Sequence, residues 1–332
     1  MYPDFIGIGA QKAGTTWLHR NLQAHPEVWM PPIKELHYFD EKAELEDGFV
    51  SRLRGDRPAD KRWRRQIRGR LRRPLERLSS RNFAWDLRYF FGKPHDGWYA
   101  SLFEPGRGKT TGEVTPDYAI LGKEGVARVH GLMPEAKIVF MMRNPVERPW
   151  SVANMGLRIR GGNMEDMTIK NFRRQVKNRR VRRMTDYLRT LDTWSAFYRE
   201  DQIFVGFLED IHFFPEETLR GLYRFLEIDP SVASGVIRER VHTGSVSTMP
   251  SWLAVHLART YREDTKRLEE RFGGYASFWH FCAERLAERS PRKERNRQIK
   301  YPLWESTLWE RWEGAQDISP QSGPLSSLRT AS

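Results

Sequence analysis

Hydrophobic residues in this chain fall into two patterns. Short, nearly unbroken apolar runs occur at Asp4–Ala10, Lys137–Met142 and Ile203–Phe207. Runs this brief, bounded by glycine, proline or charge, predict strands buried on both faces. Thr110–Val114 is a fourth, weaker candidate. Between these runs, apolar positions recur every three or four residues and predict helices over Thr15–Ala24, Pro215–Leu226 and Ser251–Phe272. The first stops at His25-Pro26 and the last at Gly273-Gly274, both ordinary helix terminators. Pro145 sits where proline favours the opening of a helix, and Met30–Lys34 reads as a proline-rich turn. Strands separated by helices predict an α/β fold, a P-loop-like parallel β-sheet with helices on both faces. No internal repeat is visible. One domain is expected over residues 1–285, with a basic, helix-prone and peripheral insertion at 41–95. A helical extension over 286–318 and a Ser/Pro/Gly-rich, disordered tail over 319–332 are expected to follow.

Charge changes the picture only locally. The 332 residues include 56 Lys+Arg and 43 Asp+Glu, a net charge of +13. Lys61–Arg81 holds ten basic residues and one acid, and Arg173–Arg183 holds seven and none, so the remainder is slightly acidic. The two patches read either as solvated helix faces or as a footprint for a polyanion or anionic surface. Nucleic acid fits on charge alone and is disfavoured, because no zinc spacing, RNP-type aromatic motif or zipper heptad accompanies it. No apolar run approaches the ~18–20 residues that cross a bilayer. Met1–Ala10 lacks the basic lead-in and cleavage site of a signal peptide. Cys282 is the lone cysteine, which excludes a disulfide framework and a multi-cysteine metal site. A cytoplasmic location is the expectation.

Candidate chemistry begins in the first loop. Gly9-Ala10-Gln11-Lys12-Ala13-Gly14-Thr15-Thr16 joins a buried strand to a helix. Successive N–H groups and the positive end of the helix can there hold an oxyanion. The Gly9–Gly14 spacing is that of a Walker A loop, but Thr15 occupies the Walker lysine position and the lysine is Lys12. A dinucleotide fingerprint fails because Lys12 stands at the third glycine position. A plain Gly-rich turn is the bland alternative. A Walker B strand would end in a metal-binding Asp, whereas Lys137–Met142 ends in Arg143-Asn144-Pro145. A guanidinium binds no metal, but its planar fork suits a terminal phosphate. Ser151, eight residues on, is within reach of the same phosphate. The site asks for two separate anionic groups and offers no obvious metal ligand. A P-loop kinase-like phosphotransferase and a non-catalytic polyanion-binding protein stay open at this point.

These residues resemble the sulfotransferase family that uses 3′-phosphoadenosine-5′-phosphosulfate (PAPS). Gln11-Lys12-Ala13-Gly14-Thr15-Thr16-Trp17-Leu18 resembles its 5′-phosphosulfate loop, and Arg143-Asn144-Pro145 with Ser151 resembles its 3′-phosphate segment. The two motifs stand in the right order, about 130 residues apart. Lys34-Glu35-Leu36-His37-Tyr38-Phe39-Asp40 resembles the Lys-Glu-x-His-Phe-Phe-Asp run of the heparan sulfate N- and 3-O-sulfotransferases. Gly112–Tyr118 is similar to their Glu-Lys-Thr-Pro-x-Tyr segment, and Tyr261–Phe278, ending beside Trp279, to their late helix. The resemblance runs over residues 4–280, with 41–95 poorly matched. Val114 replaces a lysine of the heparan enzymes. The loop His242–Met249 is Ser/Thr-rich where relatives are basic, which leaves Arg240 and His242 as substitutes.

The resemblance implies in-line transfer of a sulfonate from PAPS to a hydroxyl or amine, with 3′,5′-bisphosphoadenosine (PAP) as product and no metal. It assigns Gln11, Lys12, Ala13, Gly14, Thr15, Thr16, Trp17, Arg143 and Ser151 to the donor. Lys12 would steady the leaving bridging oxygen. Glu35 is selected as base, its alternative being a surface carboxylate beside Lys34. His37 would orient the acceptor or share the proton, or else be structural. Glu113 is a second candidate base, and Asp40 a supporting acceptor or helix cap. Trp17, Trp98, Tyr99, Tyr118 and Trp150 would stack on the nucleotide or belong to the core. A carbohydrate acceptor is favoured, and an acidic glycan, a glycolipid headgroup or a small metabolite all fit. Animal carbohydrate sulfotransferases are anchored by a membrane helix that this sequence lacks, so a bacterial-type enzyme is expected.

Overall fold

A computed structural model of the chain describes residues 1–40, 49–71, 80–159, 172, 178–235, 247–291, 294 and 297–328. The strands are Phe5–Gly9 (β1), Val28–Trp29 (β2), Thr110–Val114 (β3), Lys137–Met142 (β4), Ile203–Phe207 (β5), Thr248–Pro250 (β6), Gln298–Lys300 (β7) and Gly323–Pro324 (β8). Six of them form one sheet in the order β2-β3-β1-β4-β5-β8. Its first five strands run parallel and β8 is antiparallel to β5. β6 and β7 pair separately. Every residue of β1 and β5 is buried, as expected of inner parallel strands covered on both faces. The fold is α/β, with a mostly parallel central sheet flanked by helices.

The periodic segments form helices at Thr15–Ala24, Pro215–Phe225 and Ser251–Phe272. Gly273, at φ 60°, ends the last of these and passes the chain into the helix Gly274–Ala287. The helix after β4 starts at Arg148, later than Pro145 suggests. Asn144 is the cause: its Oδ1 accepts the Val146 amide at 3.0 Å and holds residues 144–147 as a turn.

Three expectations are corrected. The segment 41–95, as far as it is described, is not peripheral. Its helices Pro58–Leu71 and Ser80–Phe91 carry Trp63, Trp85, Tyr89 and Phe90 into the main buried cluster. Its arginines also work internally: Arg70 Nε meets Asp86 at 3.0 Å and Arg64 Nη1 donates to the Arg52 carbonyl at 2.8 Å. The extension 286–318 is only briefly helical. Beyond the end of the helix Gly274–Ala287, its regular elements among the described residues are β7, two 3-10 turns and the helix Thr307–Glu310, and Trp304 and Leu308 are buried. The tail is ordered through Leu328. Asp210 Oδ2 accepts the amides of Gln321 (2.9 Å) and Ser322 (2.6 Å), and β8 extends the sheet. Arg240, His242 and residues 173–177 of the second basic patch lie outside the described residues. Among the described residues no helix is long and apolar enough to cross a membrane.

Candidate functional site

The chemistry predicted from sequence gathers at the carboxyl ends of β3, β1 and β4, which are neighbours in the sheet. Carboxyl edges of parallel sheets are where loops and helix N-termini converge on ligands. After β1 the chain makes a tight turn through Lys12 (φ 73°) and Gly14 (φ 89°) and enters the helix at Thr15. Gly9, at φ 142°, could not carry a side chain, since a Cβ there would sit 2.8 Å from the Pro116 carbonyl. A Cβ on Gly14 would sit 2.5 Å from Ile211 Cδ1. The backbone is therefore free to wrap a small anion at the helix start, where N–H groups have no intrahelical acceptor. Ala13 and Thr15 are buried, Gln11, Lys12 and Thr16 are half-buried, and Trp17 is packed in the core.

Arg143 is the hub of the β4 side. Its guanidinium is 7% exposed. Nε and Nη2 donate to Glu147 Oε2 at 3.1 and 2.8 Å, and Nη1 donates to the Lys12 carbonyl at 3.2 Å. Nη1 also lies 3.4 Å from Ser151 Oγ, and Nη2 lies 2.6 Å from the Tyr301 hydroxyl. Burial opposes the charged form, but Tyr301 and Glu147 outweigh it and hold the pKa above its ordinary value. A second buried guanidinium, Arg148, donates to Thr185 Oγ1 (2.7 Å) and the Val181 carbonyl (2.6 Å), and Nη1 lies 3.5 Å from the Gln11 carbonyl. Loop 11–12 is thus braced by two arginines from the next strand–helix unit. Glycines at the turn, amides at the helix start and a forked cation with an adjacent hydroxyl are a donor set that fits a ligand with two anionic ends.

Glu35 and His37 come together by a route the sequence did not suggest. An extended segment would put both on one face, but the chain is not extended here: Glu35 has φ 66° and His37 φ 55°. Glu35 is 38% exposed; its Oε1 meets Lys34 Nζ at 2.9 Å and its Oε2 lies 3.7 Å from His37 Nε2. Burial alone would raise the carboxyl pKa, but His37 and Lys34 bring it down to about 2. The buried His37 Nδ1 bonds Asp40 Oδ2 at 2.8 Å and lies 3.7 Å from Asp117 Oδ2. Burial lowers the ring pKa, and Asp40 and Glu35 overcome this and lift it to about 9. Arg62 Nη1 stands 3.1 Å from Nε2, a contact that is a hydrogen bond only in the neutral ring. The directly bonded carboxylate decides the direction, which is upward. Arg180 pairs with Asp117, and Asp117 adjoins Pro116, whose carbonyl closes on Gly9. Through that contact the acidic cluster abuts the anion loop. His37, Asp40 and Asp117 place one ligand atom each within 4.8 Å of one another, but Arg62 and Arg180 already stand against this trio.

Glu113 is placed differently from an open base. It is 1% exposed and accepts from Tyr99 Oη (2.6 Å), Thr115 Oγ1 (2.7 Å) and Tyr118 Oη (3.0 Å). Burial raises its pKa despite these bonds. Trp98, Tyr99, Tyr118 and Trp150 are likewise core residues. Sequence reasoning missed Glu147, Arg148 and Tyr301. The first two lie four and five residues after Arg143, where an acid at i+4 on a helix start is a natural counter-ion for the arginine. Tyr301 had no local signal.

A model of the sulfotransferase family matches residues 3–231. Carbohydrate sulfotransferase 15 of Rattus norvegicus is 28% identical over 169 residues, covering 45% of this chain and 26% of that protein. The Mus musculus protein of the same name is 27% identical over the same length and shares. The match therefore spans about a quarter of these curated relatives. A sulfotransferase crystal structure from Alicyclobacillus acidocaldarius aligns with a TM-score of 0.56 at 22% identity, covering 81% of this chain and 95% of that one. At that identity the likeness speaks for the fold alone.

Proposed function

Because this chain belongs to the sulfotransferase family, we propose that it transfers a sulfonate group in line from PAPS to a hydroxyl or amine of an acceptor, releasing PAP. One observation carries the proposal. The guanidinium ending β4 donates to the carbonyl of the lysine in the loop after β1, at 3.2 Å, so the two cation-bearing segments form one site. When bound, PAPS supplies a sulfonate activated by its bond to a bridging phosphate oxygen.

The residues then take these parts. Gln11–Trp17 cradle the 5′ end through backbone amides and the helix start. Lys12 places positive charge where the bridging oxygen leaves, which helps most as charge develops there. Arg143 and Ser151 hold the 3′-phosphate, the guanidinium supplying charge-assisted donation beside the serine hydroxyl while Glu147 keeps part of its fork. Glu35, half-exposed and ionised at any pH above about 2, accepts the acceptor's proton, and His37 orients that carboxylate. Glu113, enclosed by three hydroxyls, fixes Tyr99 and Tyr118 beneath the site and is not assigned the proton. No metal enters the proposed reaction.

A carbohydrate acceptor is supported by the names of the curated relatives and by the Lys34–Asp40 run. An acidic glycan suits it best, since Arg62 and Arg180 stand beside His37 and Asp117. The test is transfer of radiolabelled sulfonate from PAPS to acidic and neutral polysaccharides, with a metal chelator present. Label in the acidic polysaccharide is the expected result. Magnesium-dependent label from the γ-phosphate of ATP would establish a phosphotransferase instead, and polysaccharide binding with neither transfer would establish a non-catalytic binder.

A further inference from the structure

We propose that Tyr301 is a third ligand of the donor's 3′-phosphate, supplied by the segment after β7. The inference rests on the PAPS assignment above but concerns a residue that the family match, ending at residue 231, does not reach.

Three observations carry it. First, Tyr301 is part of the Arg143–Ser151 group. Arg143 Nη2 lies 2.6 Å from its hydroxyl, the guanidinium carbon stands 5.1 Å from the centre of its ring, and Ser151 Oγ approaches the same guanidinium at 3.4 Å. Second, the residue is held on both sides. Its amide donates to the Ser247 carbonyl at 2.9 Å, and two residues on, the Leu303 amide donates to Glu147 Oε1 at 2.5 Å. Glu147 also binds Arg143, so one buried carboxylate sets the arginine and the tyrosine segment relative to each other. Third, the donor arithmetic leaves a need. Glu147 already takes Nε and Nη2 of Arg143, so the fork cannot be wholly given to a phosphate. A phosphate offers three strong acceptor oxygens, and hydroxyls meet them without bringing further buried charge. The Tyr301 oxygen accepts from Arg143 and is hydrogen-bonded to the Ser151 side chain, so two hydroxyls stand together beside the guanidinium.

The experiment titrates PAP and adenosine 5′-monophosphate into the full chain by calorimetry, for the parent protein, Tyr301→Phe and Ser151→Ala. Tyr301→Phe keeps the ring against Arg143 and Trp150 and removes only the hydroxyl. Thermal unfolding of each variant reports on the fold. Loss of one hydrogen bond to a charged group is expected to weaken PAP binding about tenfold or more. Binding of the monophosphate should stay within about twofold, because it lacks the group in question. Ser151→Ala should show the same selectivity. Unchanged PAP affinity in Tyr301→Phe overturns the proposal. Tighter PAP binding also overturns it, since the hydroxyl would then be obstructing the pocket. If the parent protein fails to prefer PAP over the monophosphate, the donor assignment falls as well, and the two failures are thus told apart.

Discussion

Glu147 Oε2 accepts both Nε and Nη2 of Arg143, at 3.1 and 2.8 Å, with the carboxylate fully buried and the guanidinium 7% exposed. A buried pair contributes little net stability when intact, because desolvation offsets attraction, but removing one partner strands the other. Glu147→Ala is therefore expected to destabilise the fold by about 3–5 kcal/mol, leaving a buried cation and the Leu303 amide without an acceptor. Urea unfolding measures this. A loss below about 1 kcal/mol would mean that water or another carboxylate takes over.

The turn after β1 admits no side chain at Gly9. The obstacle to a Cβ is the backbone carbonyl of Pro116 and the Ala119 side chain, at 2.8 and 2.9 Å, and backbone cannot rotate away as a flexible side chain would. The φ of 142° adds strain for any L-residue. Gly9→Ala should cost more than about 1 kcal/mol and should weaken nucleotide binding by displacing the loop. Chemical denaturation with a parallel PAP titration tests both. Parent-like behaviour in each would show that the loop relaxes freely.

Stability should fall at alkaline pH because of His37. Its pKa is raised from 6.5 to about 9, so the folded protein binds this proton more tightly than the unfolded chain. That contribution is complete below pH 6.5 and is lost as pH rises through about 9. Glu35 acts in the opposite direction. Its pKa is lowered from 4.5 to about 2, so its contribution is present above 4.5 and disappears as pH falls through about 2. Melting temperatures from pH 6.5 to 9 should drop more steeply in the parent than in His37→Gln. Parallel curves over that window would mean that the ring does not gain a proton on folding.

Glu35→Gln keeps the shape and the Lys34 contact but removes the proton acceptor. Sulfonate transfer should fall by about 10²–10⁴-fold, the usual worth of a general base, while PAP affinity changes little. A variant turning over at the parent rate moves the base elsewhere in the acidic cluster, with Asp117 the next to replace.

The framework of the sheet was legible because β1, β4 and β5 are buried on both faces and so read as apolar runs. The anion loop was legible because tight backbone approach demands Gly9 and Gly14. What stayed hidden has physical reasons. Glu35 and His37 adopt positive φ without being glycine, held by contacts with Lys34, Asp40 and Asp117 that no local pattern encodes. Tyr301 meets Arg143 across 158 residues. The arginines of 61–70 masked the neighbouring Trp63, whose burial makes that segment part of the core. The tail looked disordered by composition, yet β8 is a two-residue strand fixed mainly by Asp210 and the β5 edge. Such short edge pairings depend on a partner, not on propensity.

The most direct measurement is the affinity of PAP and of adenosine 5′-monophosphate for the parent protein, Lys12→Ala and Arg143→Lys. If one molecule bridges both segments, Lys12→Ala should weaken both ligands, which share the 5′ group. Arg143→Lys should weaken PAP well beyond the monophosphate, which feels only the altered brace on the Lys12 carbonyl, and erase the advantage of PAP. Equal affinity of the parent for the two nucleotides, or an equal loss of both in Arg143→Lys, would contradict a donor gripped at its two ends.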